Sequence, residues 1–195
     1  MKRGTFRTLI PPIVALLLVL AGWHLAVCYS GVDQLILPSP QSVGEKLAAQ
    51  LLYLATHSAI TLLEAVVGFA LGTIAAFGMA VLFDISETAR RAFYPYAIAF
   101  KAVPLVALAP LVVVWCGAGF ASKVVLSAVI SFFPILVNTV QGFRDVDPDA
   151  RELFESMSAT RWQVFVKLKL PSTLPALFAG MRVSSSFAVV GAVVA

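Results

Sequence analysis

DPDARELFESMSATRWQVFVKLKLP, residues Asp147–Pro171, lies between two apolar runs, Val124–Gln141 before it and Leu174–Ala195 after it. Its first part is a strong helix start. Asp147 suits the capping position, Pro148 the first helical position, and Asp149 and Glu152 the positive end of the helix dipole. The helix is expected to run to about Ser156, with Leu153 and Met157 four apart on one face and Phe154 beside them. A break near Ser158-Ala-Thr160 then precedes a second short helix, Arg161–Leu170, ended by Pro171, with Val164, Phe165 and Leu168 on its apolar face. A helix-turn-helix of this kind between long apolar runs is a loop held at a membrane surface.

The rest of the chain agrees. Of its 195 residues 60% are hydrophobic and 12% charged, and mean hydropathy is +0.94, whereas ordinary soluble domains carry roughly 25% charged residues. A water-soluble core cannot hide that much apolar surface, so a lipid bilayer is the expected solvent. Spans need about 20 mostly apolar residues. The candidates are Leu9–Cys28, Ala59–Phe83, Ala97–Trp115, Val124–Gln141 and Leu174–Ala195, with Tyr29–Ser58 an extramembrane loop carrying an amphipathic helix. The fold class is an all-α polytopic membrane protein with about five transmembrane helices. The first apolar run exceeds a signal-peptide core and reads as a retained span.

Lys and Arg set the orientation. With the N-terminus in the cytoplasm, the inner segments hold Lys2, Arg3, Arg7, Arg90, Arg91, Arg144, Arg151, Arg161, Lys167 and Lys169, and the outer ones only Lys46 and Lys123. That gives residues 1–8 as a cytoplasmic N-terminus, 9–195 as a transmembrane domain, and 143–173 as a cytoplasmic loop within it. Lys101, between Pro95 and Pro104, is placed to snorkel to the interface, and Arg182 is expected to snorkel or to pair within the bundle, with a place on the transport path as the alternative. Glu64 is expected at the interface where the second span begins. The basic residues form no stripe with interleaved aromatics, which excludes a nucleic-acid partner. Cys28 and Cys116 read as small buried hydrophobes, and no metal-ligand spacing exists.

An interfacial hairpin against lipid headgroups accounts for the basic residues of the loop, but not for acidic residues crowded at one end. A protein partner fits better, because a small amphipathic helix is a typical insert for a hydrophobic groove. The stretch Glu152–Pro175 resembles the EAA motif of ABC-importer permeases, which reads E-A-A, three residues, G, and further on I-x-L-P. Glu152, Leu168, Leu170 and Pro171 fit; Leu153 and Phe154 replace the alanines and Ser158 the glycine. Leu37-Pro-Ser-Pro40, Gly68-Phe-Ala-Leu-Gly72, Pro104–Pro110, Trp115-Cys-Gly117, Phe132–Asn138 and Val146-Asp-Pro148 are similar to the nitrate/sulfonate/taurine subfamily of these permeases.

The resemblance implies an inner-membrane subunit that translocates a small solute such as nitrate, a sulfonate or taurine. It implies a second permease copy, most simply a homodimer, a cytoplasmic ABC ATPase and a periplasmic substrate-binding protein. Its coupling residues are Glu152, Leu153, Phe154, Met157, Ser158, Arg161, Leu170 and Pro171, with Leu153, Phe154 and Met157 as anchors and Glu152 and Arg161 at the rim. Family members continue beyond this point to a sixth span, and Val183–Ala195 runs apolar to its last residue, so a continuation past Ala195 is expected. No G-x-x-x-x-G-K-[ST] loop is present, and Gly117–Lys123 has the wrong spacing, so ATP is expected on the partner and no cofactor or metal here.

Gly68, Gly72 and Gly78, with Ala75 and Ala76, offer small faces for helix packing. Ser131 and Asn138 share nearly one helical face and are candidates for a polar translocation path, or else for interhelical hydrogen bonds. Two other classes are weaker. An intramembrane enzyme lacks a G-x-S-x-G or H-E-x-x-H constellation, with only His24 and His57 in the chain. An ion-coupled secondary transporter predicts acidic residues in mid-span and inverted repeats.

Overall fold

A computed structural model describes residues 4–100 and 103–195. The described residues are mostly helical: α1 Gly4–Ser30, α2 Pro40–Ala49, α3 Leu51–Ile85, α4 Glu87–Phe100, α5 Ala109–Cys116, α6 Phe120–Arg144, α7 Pro148–Ser156, α8 Arg161–Val164 and α9 Leu170–Val194. The chain divides into two compact units, Met1–His57 and Ser58–Ala195. In the first, α1 supplies the apolar segment Ile10–Ser30, none of it buried, and α2 is capped by Ser39, whose hydroxyl accepts from the Ser42 N–H. Surface so apolar and so uncovered belongs in lipid or against another chain.

Four helical segments are long and apolar enough to cross a membrane: Ile10–Ser30, Leu51–Ile85, Phe120–Arg144 and Arg161–Val194. The all-α polytopic architecture holds, but the expected span Ala97–Trp115 is not one helix. α4 ends at Phe100, a 3₁₀ turn covers Leu105–Leu108, and α5 restarts at Ala109. Proline explains the interruption. Pro104 lacks an N–H and disfavours helical geometry in the residue before it, while Pro110 sits in the first turn of α5, where no donor is needed. Lys101, Lys2 and Arg3 lie outside the described residues.

A second correction concerns Pro171, which does not end a helix. Arg161–Val164 continues through a π-helical turn, Phe165–Lys169, directly into α9. The Leu170 N–H reaches back five residues to the Phe165 carbonyl. This wide turn falls immediately before Pro171, where a regular turn would need a donor that proline lacks and would press its ring on the carbonyl four residues back.

Within the second unit α6 is the central helix. Its buried positions, among them Leu126, Ser127, Ile130, Ser131, Ile135, Leu136 and Thr139, alternate between two faces. One face takes α3 through a stripe spaced by four, Glu64, Gly68, Gly72, Ala76 and Ala80, all buried. The other takes α9 through Thr173, Gly180, Ser184, Ala188 and Gly191. Helices in lipid gain nothing from hiding oil in oil, so close approach and interhelical hydrogen bonds must hold them. Both are present. A Cβ on Gly72 would lie 2.5 Å from the Ala128 carbonyl oxygen, and one on Gly191 2.8 Å from the Ser127 Cα. The Ser127 hydroxyl reaches the Ala188 carbonyl at 3.0 Å, and the Ser184 hydroxyl donates to the Ser131 carbonyl at 3.0 Å. Gly78, by contrast, faces open space.

Glu64 and the two cysteines also stand out by their exposure. Glu64 is buried within the bundle, 2% exposed, on the face that α3 turns toward α6. Lys123 Nζ stands 3.3 Å from Glu64 Oε2, and that oxygen makes no hydrogen bond. Such a carboxylate depends on its one cationic neighbour. Cys28 and Cys116 are free and exposed rather than buried.

Candidate functional site

The loop from Asp145 to Leu170 folds as a structured helical hairpin at the end of the bundle where α3 meets α4 and α6 ends. Its first helix forms for the reasons the sequence gives. Asp147 Oδ1 accepts from the Asp149 N–H at 3.0 Å, Pro148 occupies the first turn and Asp149 adds negative charge there. Arg151 pairs with Glu155 one turn later at 3.0 Å, an exposed contact worth only a few tenths of a kcal/mol. The helix closes at Met157, whose N–H bonds the Leu153 carbonyl at 3.1 Å.

Ser158 follows with φ +56°, the one positive φ outside glycine among the described residues. It stands where the resembled motif has glycine, and the left-handed geometry is kept although the residue has changed. Thr160 then starts α8 with a reciprocal capping box: its hydroxyl accepts from the Gln163 N–H at 3.3 Å, and Gln163 Oε1 accepts from the Thr160 N–H at 2.8 Å. A left-handed L-residue costs roughly 1–2 kcal/mol that glycine avoids. Ser158→Gly is therefore expected to raise hydrogen-exchange protection of the Met157–Thr160 amides about fivefold. Equal or lower protection would show that the serine sits there without strain.

The candidate anchors are presented, not hidden. Leu153 is 59% and Met157 72% exposed, no residue of α7 is buried, and Phe154 alone of the three is half-buried. Glu152, Ser158 and Arg161 are exposed beside them, so the hairpin gathers all six. Leu170 and Pro171 lie further on, half-buried and exposed, at the start of α9. Ser131 and Asn138 sit elsewhere, within α6. Ser131 is fully buried and donates to the Ser127 carbonyl at 2.7 Å, and Asn138 Nδ2 donates to the Pro134 carbonyl at 2.7 Å. Both are engaged in backbone hydrogen bonds of their own helix.

Sequence reasoning missed two features. Trp162 is 70% exposed and stacks on Phe165, centroids 5.8 Å apart, which in turn meets Phe143 of α6 at 5.8 Å. It extends the apolar surface of α7 across the hairpin. The second is an ion pair across 85 positions: Lys169 Nζ donates to Asp84 Oδ1 at 2.7 Å and Oδ2 at 3.0 Å. Cavities of about 340 Å³ and 580 Å³ flank it, and Asp84, Arg151 and Lys169 line both. At the α4 start, hydrogen bonds from Arg90 and then Arg91 hold the Glu87 carboxyl below its ordinary pKa. The pair therefore favours the folded chain above the usual carboxylate range, and the contribution disappears as pH falls through the lowered value. No group of three metal-ligating side chains occurs among the described residues.

The family model of the binding-protein-dependent transport system inner membrane component matches residues 52–195. The chain belongs to that family. The permease is 36% identical over 197 residues to the formylaminopyrimidine transport permease protein ThiX of Halalkalibacterium halodurans, covering 100% of this chain and 77% of that one. The riboflavin transport system permease protein RibX of Chloroflexus aurantiacus is 38% identical over 185 residues, covering 93% of this permease and 68% of its relative. The putative aliphatic sulfonates transport permease protein SsuC of Bacillus subtilis is 29% identical over 196 residues, covering 100% and 70%. The permease is a membrane-spanning transport subunit and not an enzyme, and the resemblance read from its sequence is to its own family.

Proposed function

We propose that this permease is the translocating subunit of an ATP-driven importer and that the hairpin Pro148–Val164 docks on a separate cytoplasmic ATPase. The observation that carries this reading is the exposed apolar set Leu153, Met157 and Trp162, held on a capped helix-turn-helix that runs without a break into α9. An isolated surface loop has no reason to be ordered by two caps and a left-handed hinge while leaving its largest side chains uncovered. A groove of complementary shape on a partner gives that order a purpose. ATP would bind the partner, whose closure is passed to the spans, and this chain would need no cofactor of its own. The loop end faces the cytoplasm in this reading, as the Lys and Arg count requires, and the N-terminus lies on the same side of the inner membrane. A second copy completes the pathway, and a periplasmic binding protein supplies the solute. Co-purification of the intact permease with the ATPase of its transporter tests the assignment, and a permease that elutes alone at micromolar subunit concentrations overturns it.

For the solute, two readings compete. ThiX and RibX, at 36% and 38% identity, favour a heteroaromatic compound of the pyrimidine or flavin kind. The sulfonate permease at 29%, with the subfamily motifs, favours nitrate, a sulfonate or taurine. We place the heteroaromatic solute first. Calorimetric titration of the transporter's binding protein with a formylaminopyrimidine, riboflavin, taurine and nitrate decides between them, since a binding protein that takes only taurine or nitrate removes the first reading.

A further inference from the structure

Five ion pairs join described residues. Arg90 and Arg91 with Glu87, and Arg151 with Glu155, each lie within one helix. Lys123–Glu64 and Lys169–Asp84 join segments far apart in sequence. The second of these links the hairpin's exit to the end of α3. Its side chains are 19% and 13% exposed, so water screens it far less than a surface pair. Both carboxylate oxygens accept from the one ammonium, which leaves little freedom to slide.

The surroundings make this contact mechanically special. On either side lie the two cavities, lined toward the loop by Arg151 and Glu155 of α7 and toward the bundle by residues of α3 and α6. Open space of this kind transmits no force. Lys169 bridges it as a rod. The wide turn at Phe165–Lys169 ends on this lysine, and its backbone is continuous with α8 and hence with the α7–α8 hairpin.

We propose that Asp84 and Lys169 are positioning residues for coupling, a half-buried strut by which displacement of the α7–α8 hairpin moves the end of α3. The inference rests on the docking of the hairpin on an ATPase. The hairpin and α3 are flanked by two cavities and joined by this charged contact beside the apolar packing of Phe165 on the core that holds Ala80 and Phe83, so loss of either charge removes the directional link and weakens the coupling of α3 to the hairpin. An apolar pairing at the same place would slip, and a surface pair would be too weakly held to carry displacement.

Spin labels report this without knowledge of the solute. One pair, on Ser156 of α7 and Gln141 of α6, follows the hairpin; a second, on Ile85 of α3 and Gln141, follows the strut's far end. All three positions are exposed or at the loop surface. The complete permease–ATPase complex is trapped with ATP and vanadate. In the native background both distances are expected to shift. In Lys169→Met, and separately in Asp84→Asn, the Ser156 shift remains while the Ile85 shift falls about fivefold or more. The double variant Asp84→Lys with Lys169→Asp restores it, which a general loss of packing would not allow. Equal Ile85 shifts in native and Lys169→Met complexes overturn the strut while leaving docking intact. Failure of the native permease to hold the ATPase overturns docking and the strut together. Size-exclusion profiles identify a variant that fails to fold, and Asp84→Asn, isosteric with the native residue, then carries the test.

Discussion

Gly72→Val is expected to destabilise the bundle by about 3 kcal/mol, seen as a lower melting temperature and a smaller monodisperse fraction in detergent. The magnitude follows from what the added carbon meets. Its first atom would stand 2.5 Å from the Ala128 carbonyl oxygen and 3.2 Å from that residue's Cα. These are backbone atoms inside α6, so no rotamer can swing away. The helices must instead separate by about 1 Å. That separation is felt along the stripe, because Gly68 lies as close to Ser127, at 2.5 Å, and Ala76 and Ala80 are both fully buried against the same face. Gly78→Val in the same helix is the control. Nothing lies within 4 Å of its added Cβ, and the change in helix propensity is identical, so only the contact differs between the two variants. Gly78→Val is expected to stay within about 0.5 kcal/mol of the parent. If the two glycines respond alike, α3 and α6 are not held by close backbone approach.

Local chemistry made much of the fold and of the hairpin readable in advance. Asp147-Pro148 fixes the start of α7, Ser158 marks its end through the glycine position of the motif, and the long apolar runs announce helices because nothing else satisfies the backbone in lipid. Features that depend on partners distant in sequence were not readable. Lys169, in Lys167-Leu-Lys169, looks like any snorkelling residue at a span boundary, and Asp84 like a polar stop. Only the packing of α3 beside the hairpin's exit brings them to 2.7 Å. The burial of Glu64 and its pairing with Lys123 were likewise unreadable, because both depend on the helix that packs beside α3. In Ala97–Trp115 mean hydropathy outweighed the punctuation of Pro104 and Pro110, while at Pro171 the punctuation was overvalued. There a wide turn absorbed the proline and the helix continued. Proline states which hydrogen bond is missing; tertiary packing decides whether the chain stops or adjusts.

Leu153→Asp should abolish the complex with the ATPase while leaving the permease fold unchanged. Leu153 is 59% exposed and α7 contributes nothing buried to the bundle, so its replacement removes no core contact, and the melting temperature of the permease alone should hold. In the proposed docked state the same side chain would fill a hydrophobic groove. Burying a leucine contributes about 1.5–3 kcal/mol, and a carboxylate in its place must lose its hydration without a partner, adding several more. A loss above about 3 kcal/mol weakens binding roughly a hundredfold or more, enough to empty the complex during purification. Met157→Asp, one turn along the same face, should act alike. Glu152→Gln tests the contrast: a rim charge stays near water, and its removal should change affinity about twofold or less. Leucine decisive and glutamate nearly silent is the pattern of an anchored groove. The reverse pattern, with Glu152 dominant and Leu153 tolerant of aspartate, would mean that charge and not apolar burial holds the hairpin to its partner.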